Sequence, residues 1–204
     1  MNSFVTLTDA QAEIVVLRSR FLSFVYHIES EEEGAARLAE LRKRYFDATH
    51  VCYAYVADIA GNVCKSSDDG EPASTAGAPI LSVLTGGGYR QAMIAVVRYF
   101  GGTKLGVGGL VRTYTDAALA AVEKAEKRTL VMSDVYDAEV SYQLFGKIKN
   151  TVANRGGKIT NIEYGNGVRF TVAIPATCDV LGELIDITGG KTNFIHRGNR
   201  YEIY

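Results

Sequence analysis

The residues best able to do chemistry lie in two polar segments in the first half of the chain. The first is an acidic turn, Asp68-Asp69-Gly70-Glu71-Pro72. The second begins at Arg98-Tyr99-Phe100 and continues as a glycine segment, Gly101 to Gly109, which contains Lys104 and precedes Arg112. Free backbone amides at the start of a helix bind anions, and nearby cations strengthen that binding. The second segment therefore predicts an anion-binding loop.

A purely structural interpretation accounts for the same residues. In it, the glycines shape a tight strand-to-helix turn, and Arg98 and Arg112 neutralise the carboxylates of the acidic turn. Both interpretations predict the same ion pairs, so the sequence leaves both open. The segment is not a P-loop, because Lys104 precedes Gly106 instead of following it, and the dinucleotide-binding glycine pattern is absent from a strand–helix context.

Metal and nucleophilic chemistry are less favoured by the residue spacing. The three carboxylates could bind Mg²⁺, but they miss the spacing of a calcium loop and Pro72 interrupts them, which favours a solvated turn. His50 and Cys52 have no second His/Cys pair at zinc spacing, so His50 is interpreted as a half-buried side chain. Hydroxyl side chains lie near the acids without a nucleophile elbow, which leaves a Ser-His-Asp arrangement open. We predict no metal, no cofactor and no catalytic residue.

The ligand-binding candidates share either charge beside the acidic turn or a place in or next to the glycine segment. Among them, Tyr99 could stack on a base or pack inward. The candidates are His50, Asp68, Asp69, Glu71, Thr75, Arg98, Tyr99, Gly101, Gly102, Lys104, Gly106, Gly108, Gly109 and Arg112.

Periodic apolar residues predict the elements that position these segments. Ser30 and Glu33 form a capping box for a helix that ends at the basic Arg42-Lys43-Arg44, a run interpreted as a solvated helix end. The other elements predicted here are strands at 21–26, 49–58 and 93–100 and helices at 79–84 and 110–127. The acidic turn thus precedes one helix and the glycine segment precedes the other.

A change of pattern near residues 128–133 indicates a second domain. Gly165-Asn166-Gly167 predicts a hairpin within it. The predicted elements are strands at 135–142, 158–164, 168–174 and from 192 to 195 or beyond, and helices at 145–154 and from 177 or 179 to 187. This βαββαβ order is typical of a ferredoxin-like unit. We place the domains at 1–131 and 132–204, and neither has a basic excess.

Composition argues against several classes of protein. Hydrophobic residues make up 47% of the 204 residues and charged residues 22%, enough to bury a core. The formal net charge of −1 argues against gripping nucleic acid or an anionic membrane by bulk charge, but permits a local basic groove. No apolar run approaches the roughly 20 residues of a membrane span, the N-terminus lacks signal-peptide features, and three scattered cysteines suit reduced thiols. We expect a cytoplasmic protein without membrane contact.

Short stretches that cover most of residues 18–115 carry a family resemblance. They are Arg18-Ser19-Arg20-Phe21, Asp47-Ala48-Thr49-His50, Cys52-Tyr53-Ala54-Tyr55, Ser67-Asp68-Asp69-Gly70-Glu71-Pro72, Thr75-Ala76-Gly77, Val97-Arg98-Tyr99-Phe100-Gly101-Gly102, Lys104-Leu105-Gly106 and Gly108-Gly109-Leu110-Val111-Arg112. Together they resemble the IMPACT family, in its bacterial YigZ-like branch. Val51 and Thr113 depart from the usual residues, and neither departure removes a charge. The second domain resembles that branch only in length and element order.

The resemblance implies an α+β fold and a connection with translation. Its N-terminal domain would be ribosomal-protein-like, a sheet backed by helices, and its C-terminal domain ferredoxin-like, akin to a C-terminal domain of elongation factor G. Eukaryotic relatives restrain a starvation-responsive translation kinase by binding its activator. We therefore expect a non-enzymatic regulator of translation that binds RNA, the ribosome or a translation factor. In that role Arg98, Lys104 and Arg112 contact phosphate or an acidic partner.

The alternative expectation is a small hydrolase or transferase that acts on a phosphorylated or carboxylated metabolite in the same cleft. Its basis is that carboxylates facing an anion-binding loop are what such an enzyme would need. The two expectations differ in whether Asp68 and Asp69 are free to act on a ligand.

Overall fold

The structure, a computed structural model, describes residues 3–204 of the chain. These residues divide into two compact units, the first over Phe4–Thr129 and the second over Leu130–Tyr204. Each unit has its own buried hydrophobic cluster. Each therefore has the components of a domain, which are a sheet, helices that cover it and a core between them.

Antiparallel strands form the sheet of the first unit. The strands of this unit are β1 (Phe4–Leu7), β2 (Ala10–Val16), β3 (Ser19–His27), β4 (His50–Val56), β5 (Cys64–Ser67) and β6 (Ala92–Tyr99). The sheet has five of these strands in the order β2-β3-β6-β4-β5, without β1, and every neighbouring pair is antiparallel. The central strand β6 is buried at all positions except its last residue, as expected of a strand covered on both faces. The predicted strands of this half are confirmed to within a few residues.

Helices cover both faces of this sheet. They are α1 (Glu31–Arg44), α2 (Gly77–Gly86) and α3 (Gly106–Lys124). Successive strand residues point to opposite faces. Cys52 and Ala54 of β4 therefore belong to the core shared with α2 and α3, whereas Val51 and Tyr55 belong to the core under α1. No helix within residues 3–204 is both long and apolar enough to cross a membrane.

The predicted start of α1 is confirmed. The Ser30 hydroxyl oxygen accepts a hydrogen bond from the Glu33 N–H at 3.3 Å. The Glu33 carboxylate in turn accepts the N–H of Glu29 at 2.8 Å, one residue before the position that a standard capping box would use. Acidic residues occupy the first turn and basic residues the last, so the charges at both ends stabilise the helix dipole.

The two helices that follow the polar segments begin earlier than predicted. α2 begins at Gly77 and not at Pro79, because a carboxylate of the acidic turn accepts backbone N–H groups at its start. α3 runs from Gly106 to Lys124 and not from Leu110 to Lys127, so it includes three glycines that the sequence placed in a loop. Glycine has a low helix propensity, which hid this turn from the sequence pattern. Packing of α3 on the sheet supplies the stability that propensity does not.

The second unit has the predicted βαββαβ order. Its elements are β7 (Lys127–Val140), α4 (Tyr142–Asn154), β8 (Lys158–Tyr164), β9 (Val168–Pro175), α5 (Leu181–Ile187) and β10 (Ile195–Ile203). Within this unit β7 pairs with β10 and with β9, and β9 pairs with β8, all antiparallel. Several predicted bounds are wrong: β7 begins at Lys127 and ends at Val140, α4 begins at Tyr142, α5 at Leu181 and β10 at Ile195. β10 is largely exposed, so it lacks the apolar pattern that would reveal its length.

Replacing Gly101 by alanine should destabilise the first unit. A Cβ at this position would lie 2.1 Å from the Arg18 carbonyl carbon and 2.3 Å from the Ser19 nitrogen, and both are backbone atoms. We expect a loss of about 3 kcal/mol or more in the free energy of unfolding, measured by urea denaturation.

Gly108→Ala is the matched control, because a Cβ there meets open space within α3. Alanine should raise the free energy of unfolding by about 0.5–1 kcal/mol through helix propensity. Equal stability of the two variants would contradict the close approach of Gly101 to β3.

Candidate functional site

The predicted site residues of the first unit gather at one end of its sheet. β6 ends where β3 and β4 begin, so Arg98 pairs with His50 on one side and Phe21 on the other. The acidic turn directly follows β5, whose last residue, Ser67, pairs with Tyr53 of β4. The glycine segment follows β6 and leads into α3. The two polar segments, far apart in sequence, therefore meet at this end.

Asp68 caps the start of α2 with its side chain. One carboxylate oxygen, Oδ1, accepts the N–H groups of Ala76 at 2.9 Å and Gly77 at 2.8 Å, and Oδ2 accepts the N–H of Ser74 at 2.8 Å. Burial raises the pKa of this carboxyl, but these backbone hydrogen bonds outweigh it and hold the pKa below its usual value. Asp68 is therefore an ionised structural cap.

Asp69 ties the acidic turn to β4 and α1. Its Oδ2 accepts the N–H of Val51 at 2.7 Å, and its Oδ1 pairs with Arg42 Nη2 at 2.6 Å. Its carbonyl oxygen lies 2.8 Å from Nδ1 of His50, so the imidazole donates there. Arg42 is half-exposed and pairs with Asp69, a contact that the interpretation of this run as a solvated helix end did not include. His50 is mostly buried, as expected from the sequence.

Glu71 accepts the hydrogen bonds of a buried network. Its Oε1 lies 2.5 Å from Arg98 Nη1 and 2.7 Å from the Tyr114 hydroxyl, and His50 Nε2 is 3.8 Å away. The Cys52 thiol sulfur lies 3.0 Å from the Asp68 carbonyl oxygen and 3.3 Å from the Tyr114 hydroxyl oxygen. Burial raises the pKa of Cys52 to about 12 and that of Tyr114 still further, so both stay protonated.

Arg98 belongs to this network and not to the surface. It is 5% exposed, and its guanidinium carbon lies 5.3 Å from the Phe21 ring centroid and 5.5 Å from that of Phe100. Its Nε is buried without a hydrogen-bond partner among residues 3–204. The expectation that Arg98 contacts a phosphate or an acidic partner therefore does not fit its position, because Glu71 already neutralises it.

Two further candidates have local structural roles. The Thr75 hydroxyl is buried and donates to the Pro72 carbonyl at 2.6 Å, which closes the acidic turn. The Tyr99 hydroxyl donates to Asp47 Oδ1 at 2.8 Å, and Arg20 lies over its ring. The ring of Tyr99 is therefore held between a carboxylate and a cation.

The glycine segment contrasts with the acidic turn because its charged side chains are free. Gly101 donates its N–H to Ser19 Oγ at 3.0 Å, which holds the segment against the start of β3. Lys104 and Arg112 are exposed and form no ion pair within the described part of the chain. Arg112 therefore does not neutralise the acidic turn, contrary to the structural interpretation of the sequence.

Three glycines of the segment, Gly106, Gly108 and Gly109, form the first turn of α3. Gly102 and Gly106 have φ angles of +86° and +71°, in the region that favours glycine. Leu105 at the N-cap makes no side-chain hydrogen bond, and no side chain of residues 3–204 accepts the first N–H groups of α3. The first amides of this helix therefore lack the side-chain acceptor that Asp68 provides for α2.

The sequence did not reveal that Tyr114 belongs to the buried network of Glu71 or that Arg42 pairs with Asp69. Tyr114 occupies an apolar position of α3, and the pattern at such a position predicts only that the ring is buried in the core, not which group its hydroxyl contacts. Arg42 has no sequence signal for Asp69, because helix-end cations are usually solvated. Among the described residues, no cluster of three metal-ligating side chains occurs.

A cavity of about 680 Å³ lies in the second unit and involves none of the candidates. Charged residues line it, and four of them pair internally, Arg197 with Asp137 and Arg169 with Glu139, each at 2.7 Å. Thr171 and Arg197 hydrogen-bond Asp137 and lower its pKa. These four charges therefore neutralise one another.

Asp68→Asn should lower the free energy of unfolding by about 1–3 kcal/mol, because the amide cannot reproduce three charge-assisted N–H contacts. The folded-state pKa of Asp68 lies below its unfolded value. The difference between wild type and variant should therefore be full above about pH 4 and shrink as the pH falls through the folded-state pKa. Denaturation midpoints across pH 2–7 measure this difference; Asp116→Asn, at an exposed position of α3, is the control. A difference that persisted at pH 2 would contradict the capping role.

Cys52 and Cys64 should differ in reactivity. At pH 8 Cys52 is protonated and buried, whereas Cys64 is exposed. A thiol-specific reagent should therefore modify Cys64 in the folded protein and reach Cys52 only after unfolding. Mass spectrometry of tryptic peptides locates the adducts, with Cys64→Ser as the control. Rapid labelling of Cys52 in the folded chain would overturn the buried network.

Comparison with known proteins matches the chain to two domain families. Residues 17–122 match the Impact N-terminal domain, which contains all the candidate residues, and residues 139–191 match a domain of unknown function, DUF1949. The IMPACT family member YvyE of Bacillus subtilis (strain 168) is 31% identical over 196 residues, which are 95% of this chain and 90% of the relative. YigZ of Escherichia coli (strain K12) is 32% identical over 184 residues, 88% of this chain and 90% of the relative.

One solved structure agrees with these matches. A crystal structure described only as that of an hypothetical protein is similar with a TM-score of 0.66 and 30% identity, covering 96% of this chain and 97% of its own. The structure of the two-domain translational regulator Yih1 is 27% identical, covering 58% of this chain and 47% of its own, with a TM-score of 0.39, too low to support a common fold. The family model over more than half of the chain and the relatives above 30% identity lead to one conclusion: this chain belongs to the IMPACT family.

Proposed function

We propose that this protein is a non-enzymatic, cytoplasmic regulator that docks on the translation machinery. Its contact surface is the glycine segment with Lys104 and Arg112. Membership of the IMPACT family supports a link with translation. The observation that carries the proposal is the division of charge at the site. The carboxylates of the acidic turn are paired within the protein, whereas Lys104 and Arg112 form no ion pair within residues 3–204.

The occupied carboxylates count against the enzyme alternative. A general acid or base must reach the proton that it transfers. Asp68 accepts three backbone N–H groups, Asp69 accepts one and pairs with Arg42, and Glu71 is buried against Arg98 and Tyr114. Releasing any of them would expose an unpaired buried group or remove a helix cap. These acids therefore hold the end of the sheet together.

The free cations favour an anionic partner. Lys104 and Arg112 lie before and after the first turn of α3, whose positive dipole end adds to their field. With few cations and a net charge of −1, this surface should bind with a shallow salt dependence. Ribosomal RNA phosphates and protein carboxylates both supply the required negative charge, and nuclease treatment separates the two.

Co-sedimentation with ribosomes, with and without nuclease, tests the proposal. Lys104→Glu combined with Arg112→Glu should reduce the pelleted fraction about tenfold, because both cations become repulsive. Arg98→Glu is unsuitable, since it would place two carboxylates in the core. Lys65→Glu combined with Lys149→Glu is the matched control, with the same change in net charge at exposed positions elsewhere.

The control variant should pellet as the wild type does. Equal pelleting of the two double variants would remove the glycine segment from the contact. Failure of the wild type to pellet at low and at moderate salt would overturn docking on the ribosome.

A further inference from the structure

The exposed aromatic side chains of the first unit lie at the end of its sheet where the two polar segments meet. Phe46 follows α1 and is 86% exposed, and Phe100 follows β6 and is 46% exposed. Among residues 4–129, every other phenylalanine and tyrosine is at least partly buried. Burial of a large ring is normally favourable, so two rings left in solvent at one end of a sheet are characteristic of a contact surface.

Hydrogen bonds connect the segments that carry the two rings. Phe46 precedes Thr49 by three residues, so at most about 11 Å separates their Cα atoms. The Thr49 hydroxyl oxygen accepts the N–H of Phe100 at 3.1 Å. The Tyr99 hydroxyl donates to Asp47 and links the same two segments a second time. Phe46 and Phe100 therefore belong to one continuous surface.

Free cations surround these rings. They lie in the turn between β2 and β3, at the end of α1 and around the first turn of α3, and the strand directions place all three at this end of the sheet. These exposed residues, which form no ion pair within residues 3–204, are Arg18, Lys43, Arg44, Lys104 and Arg112. Against them stand the exposed Asp47 and the capping carboxylate of Asp68, since Asp69 and Glu71 are each paired with an arginine. This end therefore carries an excess of positive charge, although the formal net charge of the chain is −1.

Exposed rings among free cations favour single-stranded RNA as the partner. Proteins that bind single strands stack bases on aromatic rings while their cations follow the phosphates. A duplex keeps the faces of its bases inside the stack, where the rings cannot reach them. A carboxylate-rich protein would account for the cations but not for the rings in solvent. RNA is the nucleic acid that the proposed docking on the translation machinery supplies.

We propose that this end of the first unit binds single-stranded RNA, with bases stacked on Phe46 and Phe100 and phosphates held by the free cations. The surface extends the contact surface of Lys104 and Arg112 across the end of the sheet to α1. This inference rests on the proposed function, because it names the class of partner that meets the same cations.

Fluorescence anisotropy with a labelled single-stranded RNA of about 12 nucleotides and mixed sequence tests the inference. Phe46→Ala should weaken binding at least about fivefold, because one base loses its stacking partner. Phe46→Tyr keeps a ring and is the matched control, so it should bind as the wild type does. Phe46 is mostly in solvent, so neither change disturbs the core. With five cations, the plot of log K against log salt should have a slope no steeper than about −3.5.

A fluorescent probe at the same position tests the stacking directly. The chain contains no tryptophan, so an introduced indole reports on its own position alone. The RNA should quench the fluorescence of Phe46→Trp, because a base stacks on the indole. Val63→Trp is the control, since Val63 is exposed just before β5, at the opposite end of the sheet. Its fluorescence should not change.

Four results would overturn the inference. They are no binding of the RNA at about 100 μM protein, the weak limit of non-specific affinity; equal affinity of Phe46→Ala and the wild type; a duplex of the same sequence bound as tightly as the single strand; and no more quenching in Phe46→Trp than in Val63→Trp.

The proposed function fails separately. Ribosome pelleting by a protein that does not bind the RNA supports docking, assigns the surface to an acidic protein and overturns this inference. RNA binding with all the expected effects but without ribosome pelleting supports the site and overturns docking on the ribosome.

Discussion

The buried ion pair between Glu71 and Arg98 is the interaction on which this end of the first unit depends. Leaving either charge alone would cost about 3–5 kcal/mol, so the pair holds the acidic turn against the last residues of β6. The Tyr114 hydroxyl adds α3 to the same oxygen of Glu71. A strand, a turn and a helix that are distant in sequence are thereby fixed to one carboxylate.

The two polar segments of the site use their charges differently. The carboxylates of the acidic turn accept backbone N–H groups and pair with Arg42 and Arg98, so the turn is fixed to the elements around it. The glycine segment keeps its cations exposed and its helix start uncapped. The charges of the acidic turn therefore face partners inside the unit, whereas Lys104 and Arg112 face solvent.

Much of the fold was predictable from the sequence, because periodicity and capping are local properties. Ser30 and Glu33 identified the start of α1, and the βαββαβ order of the second unit followed from alternation and turn residues. The start of α3 was not predictable, because tertiary packing overrides the low helix propensity of Gly106, Gly108 and Gly109. Within the site, the meeting of the two polar segments and the pairing of Arg98 with a carboxylate of the acidic turn were predicted by the structural interpretation, but the choice of Glu71 was not. Whether Arg98 or Arg112 faces Glu71 depends on strand direction and burial.

The three glycines in the first turn of α3 lower the local stability of this turn. Each glycine makes the helical state about 1 kcal/mol less favourable than alanine would, whereas the following turns are held by buried residues such as Tyr114 and Ala118. The first turn can therefore open and close locally while the rest of the unit stays folded. A ligand or partner that contacts this turn would have to hold it in the helical state, so the cost of ordering it would be subtracted from the binding free energy.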